Sequence, residues 1–462
     1  MQASKRNRDL LDPSLPVRSV IWYLAWPTIV EQILQVTVTY VDSAMVGSLG
    51  AEATAAISIN NSMIWLINGW MNAIAIGFAV LMARNLGSGN TQKAKETVKQ
   101  ALTASLGYGC ILTLLLSVVA SYLPVWMGAT PEVSPLAYQY MKYIAIGYIP
   151  NLMMIVIGAL LRSSGDSRTP LYLNALNNLV NIMLNLFFIF PSVTIGSHSF
   201  KGLDMGVSGA SLATTLACSF TALLLLVSLF TQEKGIKISL KGSWKYNGHI
   251  QAQALRLGIP MALERTTLSF GQLALTRMVS SLGTAALAAH YIANTAESIT
   301  YLPPSGVATA ATTLVAQSLG KGDAPLAKKF ADNCVIAGTL LMSTMAVFMY
   351  IFAPQLIHFF SPDPGVIALG TKVLRIEAFA EPAFGLSLLV FGVLRGAGDM
   401  KGPFAISLAG MWILRLPLAW ILLKTTNLGL QGIWIAMMSD LILRGIISFF
   451  RYRSGVWQKI WK

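Results

Sequence analysis

Apolar residues fill runs of about twenty along the whole chain, separated by short polar stretches, and a run of that length is what an α-helix needs to cross the hydrocarbon of a bilayer. Twelve such runs can be counted, at 20–46, 57–82, 98–123, 136–160, 171–190, 207–230, 255–281, 285–316, 334–356, 368–394, 404–423 and 429–450. The pattern predicts an all-α polytopic membrane protein with twelve transmembrane helices. Composition agrees, since only 11% of the 462 residues are charged and 55% are hydrophobic. A soluble domain carries about a quarter charged residues.

The twelve runs are two copies of six. A shift of 233 residues lays PTIVEQ at Pro27 over PMALER at Pro260, Glu31 over Glu264 and Ser48-Leu49-Gly50 over Ser281-Leu282-Gly283. The same shift lays LRSSGD at Leu161 over LRGAGD at Leu394, and Pro170 over Pro403. Beyond helix 5 the shift falls to 223, where GVSG at Gly206 meets GLQG at Gly429, so the first copy has about ten extra residues near PSVTIGSHSFKGLDMG. A register held this long is duplication. Each copy has an even number of spans, which makes the repeats parallel and places a transport site at their pseudo-symmetry axis. The predicted organisation is an amino-terminal segment 1–19, an amino lobe 20–230, a linker 231–254, a carboxyl lobe 255–450 and a basic tail 451–462.

The net charge of +14 changes the picture only once it is placed on the chain. Lys and Arg gather before helix 1 (Lys5, Arg6, Arg8, Arg18) and after the even-numbered helices, as at Lys93, Lys95 and Lys99 or Lys234, Lys237, Lys241 and Lys245. The opposite connections GSLGAEAT, PVWMGATPEVSP, SLGTAA and FFSPDPG hold none; Lys201 and Lys424 are the exceptions. By the positive-inside rule both termini face the cytoplasm of a cell whose plasma (inner) membrane the chain spans. The basic excess is therefore a topology signal, and no nucleic-acid partner is expected. Cys110, Cys218 and Cys334 fall singly within spans and read as packing residues.

Carboxylates inside a membrane are costly and mark function. Glu31, Gln35 and Asp42 share one stripe of helix 1, with Thr39 at its edge. Glu31 and Glu264 each follow a proline by four residues, which suggests a shared structural role such as bonding backbone groups freed by that proline. Asp42 has no counterpart, because Leu275 stands in its place. Helix 5 carries Asn174, Asn177, Asn178, Asn181 and Asn185 on one broad face, against Ser407, Gly410, Met411, Leu414 and Leu418 in helix 11. A carboxylate with amide and hydroxyl oxygens is a ligand set a hard cation accepts. The second lobe has Arg277, His290, Glu297, Glu377, Glu381, Arg415 and Asp440 in or near its spans, in pairings the sequence leaves open.

The helix-1 pattern P-x-x-x-E-Q…V-D-x-x-M-V-G-x-L-G, the paired L-R-[GS]-[AS]-G-D segments and the two six-helix repeats resemble the multidrug and toxic compound extrusion (MATE) transporters, and within them the DinF-like branch. The resemblance implies a V-shaped twelve-helix fold and cation-coupled efflux of amphipathic, often cationic compounds. It carries the cation or proton site onto Asp42, Asn181, Asn185 and Thr214, and helix bending onto Pro27. Many DinF-like members have a second aspartate where this chain has Asn185. That departure weakens Na⁺ coupling and leaves Asp42 as the principal titrating group. The acidic pair of the NorM-like branch falls near Phe270 and at Phe384, so that site is expected to be absent; Glu264 and Glu381 are the remaining second-lobe candidates.

These readings combine into an antiporter that exports its substrate against H⁺, with Na⁺ as the alternative ion at Asp42 and no other metal or cofactor. Gln35, Met63, Trp65, Asn68 and Met71 are candidate substrate contacts, since Met and aromatic surfaces suit promiscuous binding. The partners are small amphipathic or cationic molecules and the bilayer, and a monomer suffices. Two other function classes compete with this one. A flippase for a lipid-linked precursor requires a cationic cavity, for which Arg277 and Arg415 are available. A membrane enzyme would need HExxH, GxSxG or a P-loop, and the chain has none of them.

Overall fold

The computed structural model describes residues 10–195, 198–231, 237–239 and 244–460, without the side chains of residues 62, 193–195 and 198–199. Lys5, Arg6, Arg8, Lys234 and Lys241, which carry part of the topology signal, lie outside the described residues. The first six spans are α1 (Val17–Gly47), α2 (Ala51–Gly87), α3 (Thr91–Val119), α4 (Val133–Ser163), α5 (Arg168–Ile189) and α6 (Gly206–Thr231). The second six are α7 (Gly248–Ser280), α8 (Thr284–Gly320), α9 (Ala324–Ile351), α10 (Pro364–Ala378 followed by Glu381–Gly396), α11 (Lys401–Thr425) and α12 (Leu430–Arg453). Eight of these are individually long and apolar enough to cross a membrane, and the two parts of α10 reach that standard together. The three that fall short, α1, α7 and α8, carry Glu31 and Asp42, Glu264 and Arg277, and His290 and Glu297.

Two expected single helices are interrupted. The halves of α10 meet at 56° across Phe379 and Ala380, where Ala380 N–H reaches back to the Glu377 carbonyl at 2.7 Å. Pro382, in the first turn of the second half, suits a fresh helix start. In α11, Ala409–Arg415 is wound as a π-helix between two α segments. The ten extra residues of the first copy build a β-hairpin, β1 (Ser192–Ile195) against β2 (His198–Lys201), antiparallel with Ser192 opposite Lys201.

The duplication is visible in the backbone. Gly50 and Gly283 start α2 and α8 with φ of 113° and 98°, and Gly165 and Gly398 take φ of 98° and 79° in the turns of the LRSSGD and LRGAGD repeats. Only glycine adopts these values without strain. The glycine turns NLGSGN and SLGKGD end in helix caps: Asn90 accepts from Lys93 N–H at 3.0 Å and Asp323 from Leu326 N–H at 2.9 Å. Their repetition is structural.

The described residues form two compact units, one within Val30–Arg256 and the other within Asp9–Ile29 and Leu257–Lys462. The division thus falls inside α1, two residues after Pro27, and inside α7, shortly before Pro260. The expected lobes, 20–230 and 255–450, had kept each of these helices whole. The first unit is built on Met71, Phe78, Leu102, Tyr148 and Leu152. The second has one core around Leu24, Leu314, Phe330 and Leu389 and another around Leu275, Leu374, Trp434 and Met437.

Candidate functional site

Within the first unit, α1, α5 and α6 bring Asp42, Asn181, Asn185 and Thr214 together, as the sequence led us to expect. Asn181 and Asn185 are one helical turn apart, so both amides leave the same face of α5, and both are buried. Asn185 Nδ2 donates to Asp42 Oδ1 at 2.7 Å. The Asn181 amide fits in two orientations. In one, its oxygen lies toward Asp42 and accepts from Asn185 Nδ2 at 3.2 Å, while its nitrogen donates to Thr214 Oγ1 at 3.2 Å. In the other, its nitrogen donates to Asp42 Oδ1 at 2.9 Å and its oxygen accepts from Thr214. In the first orientation Thr214 gives its hydroxyl hydrogen to the Ala210 carbonyl at 3.0 Å.

Asp42 is half-buried, and no ion pair to it occurs among the described residues. Its charge is met by amide dipoles alone. Tyr140 on α4 and Cys218 on α6 lie within its electrostatic reach. The sequence reading missed Tyr140, because nothing in the pattern of α4 sets that tyrosine apart from its neighbours.

Glu31 does something else. It accepts from Arg162 Nη1 at 3.0 and 3.1 Å and from Asn174 Nδ2 at 2.5 Å. In the second unit Glu264 accepts from Arg395 Nη2 at 3.1 and 3.3 Å and from Ser407 Oγ at 3.0 Å. All three members of each triad are related by the shift of 233. The shared role is therefore real, but its chemistry differs from the expectation: side-chain guanidinium groups, not freed backbone groups, hold both glutamates. Arg162 and Arg395 could have been found, because they recur at the same spacing as the glutamates and bear the opposite charge. The asparagine face of α5 is accordingly divided, with Asn174 serving Glu31, Asn181 and Asn185 serving Asp42, and Asn177 accepting from Thr221 Oγ1 at 3.3 Å.

Other candidates are redistributed. Met71 is fully buried among Ile67, Ala75 and Phe78, so it is a core residue in this structure and not a surface open to a substrate. Met63 packs against the same core, Asn68 is half-buried, and Gln35 and Trp65 are exposed. Glu264 is occupied by its ion pair. Glu381, the other second-lobe candidate, is wholly inside the second unit, accepting from Thr300 Oγ1 at 3.2 Å. Phe384 stands edge-on to Tyr301 with ring centroids 5.9 Å apart, and Phe270 is exposed; neither place holds a carboxylate.

The second unit's charges pair as follows. Asp440 is held by two arginines, Arg415 Nε at 2.7 Å and Arg444 Nε at 2.6 Å. His290 Nδ1 accepts from Trp434 Nε1 at 3.1 Å, beside Asn294. Arg277 is exposed in the last turn of α7.

With this geometry established, comparison with known proteins places the chain. The MatE family model matches residues 27–187 and again 260–421, one match to each repeat. The chain belongs to the MatE family. A Thermotoga maritima protein named as a probable multidrug resistance protein, NorM, is 29% identical over 443 residues, covering 96% of this chain and 94% of that protein. A Bacillus subtilis protein described as the uncharacterised transporter YisQ is 25% identical, covering 95% and 94%. Among solved structures, an outward-facing multidrug resistance MATE family transporter of the MOP superfamily matches with a TM-score of 0.88 at 22% identity, over 96% of this chain and 97% of that one. A MOP superfamily transporter from Pyrococcus furiosus matches at 0.87 and 22%, over 95% of each chain. As a MatE protein the chain is a multi-span membrane transporter and not an enzyme.

Proposed function

We propose that this MatE protein is a secondary active exporter of amphipathic or cationic small molecules, driven by H⁺ entering through Asp42. The observation that carries the reading is a carboxylate inside a span, ringed by Asn185, Asn181 and Thr214 and lacking any ion-pair partner among the described residues. A group so placed has no fixed counter-charge to lose when a proton arrives. The names of relatives such as the Thermotoga protein support export of drug-like compounds.

Protonation of Asp42 would turn the Asn181 amide, and that turn supplies a coupling step. An ionised Asp42 accepts from the Asn181 nitrogen; a protonated Asp42 donates to the Asn181 oxygen, and the Asn181 nitrogen then turns to Thr214. Proton binding at α1 is thereby converted into a changed bond between α5 and α6. Pro27, which removes one backbone hydrogen bond within α1, allows that helix to bend in response. The transporter works as a monomer in the plasma membrane with both termini cytoplasmic.

A second reading, Na⁺ coupling at the same site, is favoured by one atom: Asn185 Oδ1 is buried without a hydrogen-bond partner and is the kind of neutral oxygen Na⁺ accepts. Proteoliposomes loaded with a fluorescent organic cation separate the two. Efflux driven by a pH gradient alone, and lost in Asp42→Asn, is the expected result. Efflux that follows only a Na⁺ gradient establishes the second reading, and an Asp42→Asn protein as active as wild type removes Asp42 from both.

A further inference from the structure

A second cluster of buried carboxyls lies in the other half of the protein, with no counterpart around Asp42. Glu377 closes the first half of α10 and Glu381 opens the second, so both flank the 56° break. Both are wholly buried. Neither oxygen of Glu377 has a hydrogen-bond partner, and Glu381 Oε2 has none either. Glu297 on α8 completes the group, within electrostatic reach of Glu377 and Glu381.

The charges facing these glutamates come from α11 and α12. Arg415, at the end of the π segment of α11, is within reach of Glu297 and Glu377, and Arg415 and Arg444 together hold Asp440. Glu264 of α7, already paired with Arg395, is within reach of Arg444, and His290 of α8 is within reach of Arg415. α9 packs against the second half of α10 with Gly338 on Leu389 and with Met342 and Thr339 on Gly385, and brings no charged group there through these contacts.

The charge count decides what the cluster needs. The triad Arg415–Asp440–Arg444 carries one net positive charge, which one glutamate balances. Two further glutamates then remain in a water-poor interior without a cation. Unpaired buried carboxylates are neutralised rather than tolerated. Among the described residues no three metal-ligating side chains converge to hold a metal ion. Protons are the remaining neutralising species. A broken span is also where transporters place ion sites, since the half-helix ends leave backbone groups and side chains unpaired.

We propose that Glu297, Glu377 and Glu381, gathered at the break in α10 beside the Arg415–Asp440–Arg444 triad, form a second proton-binding site, separate from Asp42 and able to hold two protons. The positions that match these glutamates in the first repeat are Ile64, Ile144 and Tyr148, and those that match Asp440 and Arg444 are Ala217 and Thr221. A requirement of the scaffold would be met in both repeats. This one is met in one.

The test is infrared spectroscopy of the full chain in lipid nanodiscs at about pH 8, where exposed carboxyls stay ionised, with H₂O exchanged for D₂O to mark the carboxylic-acid carbonyl band. It reads bound protons at equilibrium, independent of transport, so its failure is distinct from failure of the Asp42 reading. In Asp42→Asn protein the carboxylic-acid carbonyl band is expected to persist, and adding Glu377→Gln should reduce it by about half, because the triad still requires one ionised glutamate. Glu297→Gln, on a different helix, should give the same reduction, which covers the case in which the Glu377 variant does not fold. Loss of the whole band in Asp42→Asn overturns the proposal. So does a band that both glutamine variants leave at full strength. A band abolished by Na⁺ replaces the proton with a metal cation and overturns it equally.

Discussion

Where the first repeat has Asp42, Asn181, Asn185 and Thr214, the second has Leu275, Leu414, Leu418 and Met437, and three of these, Leu275, Leu418 and Met437, belong to one apolar core. The exchange also runs the other way. Asn177 accepts from Thr221 in the first repeat; at the matching places the second has Gly410 and Arg444. A Cβ on Gly410 would stand 2.0 Å from Asp440 Oδ1 and 2.5 Å from Arg444 Nε, so the missing side chain is what admits the arginine–aspartate pair. One scaffold thus holds two different polar clusters; the sister lobe fills the place of the first with hydrocarbon and that of the second with Ala217 and the Asn177–Thr221 hydrogen bond. The Glu31 and Glu264 triads, present in both, belong to the scaffold. The unmatched clusters are the places to look for function.

The comparison breaks most visibly at Asp440. Asp440→Asn removes the carboxylate that both buried guanidinium groups touch, and should cost about 3–5 kcal/mol of stability. Asp42→Asn, which removes a charge that no cation was holding, should unfold at nearly the wild-type denaturant concentration. Unfolding of the two variants in mixed micelles, followed by tryptophan fluorescence, checks the contrast; equal losses would mean that Asp42 is as much a structural ion as Asp440.

The next effect sharpens the matched pair. Glu264 is more deeply buried than Glu31, with side-chain exposure of 4% against 12%, and so are their arginines, at 14% against 18%. Glu264→Gln should therefore cost about 3 kcal/mol and Glu31→Gln about half that, between the ranges for buried and surface ion pairs. The Arg395→Gln and Arg162→Gln variants complete a double-mutant cycle for each pair. A larger coupling in the first lobe than in the second would contradict the burial argument.

The parts of this fold that were legible in the sequence are those in which one signal repeats. The register of 233 reveals both lobes, and against it Asp42 and the asparagines of α5 stand out as unmatched. The same register held Arg162 and Arg395, but two residues far apart in sequence declare themselves partners only when their recurrence is compared as a pair. Asp440 and Arg444 are four apart on α12, a spacing that puts them side by side. Arg415 could not be added from spacing, because the π segment that ends at it departs from the helical period. The break in α10 left a trace at Pro382, yet Pro150 stands inside an unbroken α4, so proline alone did not distinguish a kink from a start. The β-hairpin grew from an insertion with no counterpart to compare.

Gly410→Ala tests the steric half of the exchange and should cost about 1–3 kcal/mol, the usual range for overpacking, with the added methyl pressing on Asp440. Its effect should shrink in an Asp440→Ala background, where only Arg444 still crowds the methyl; a cost that stays unchanged there would assign the strain to Arg444 or to the π-helix itself.

The smallest effect belongs to the neutral partner of that contact. Asn177→Ala removes a single hydrogen bond of 3.3 Å between a half-buried amide and a buried hydroxyl, and about 0.5–1.5 kcal/mol is expected. The Thr221→Val variant should cost a similar amount, and the two together little more than either, because each deletes the same bond. The measurement matters for what it excludes. If Asn177 were part of the coupling site, its loss would shift the pH dependence of efflux along with stability. The geometry ties Asn177 to α6 through Thr221 and ties Asp42 to Asn181 and Asn185 one and two turns further along α5. A stability loss with an unchanged pH profile is therefore the expected result, and it would mark the point on α5 where scaffold ends and the proton site begins.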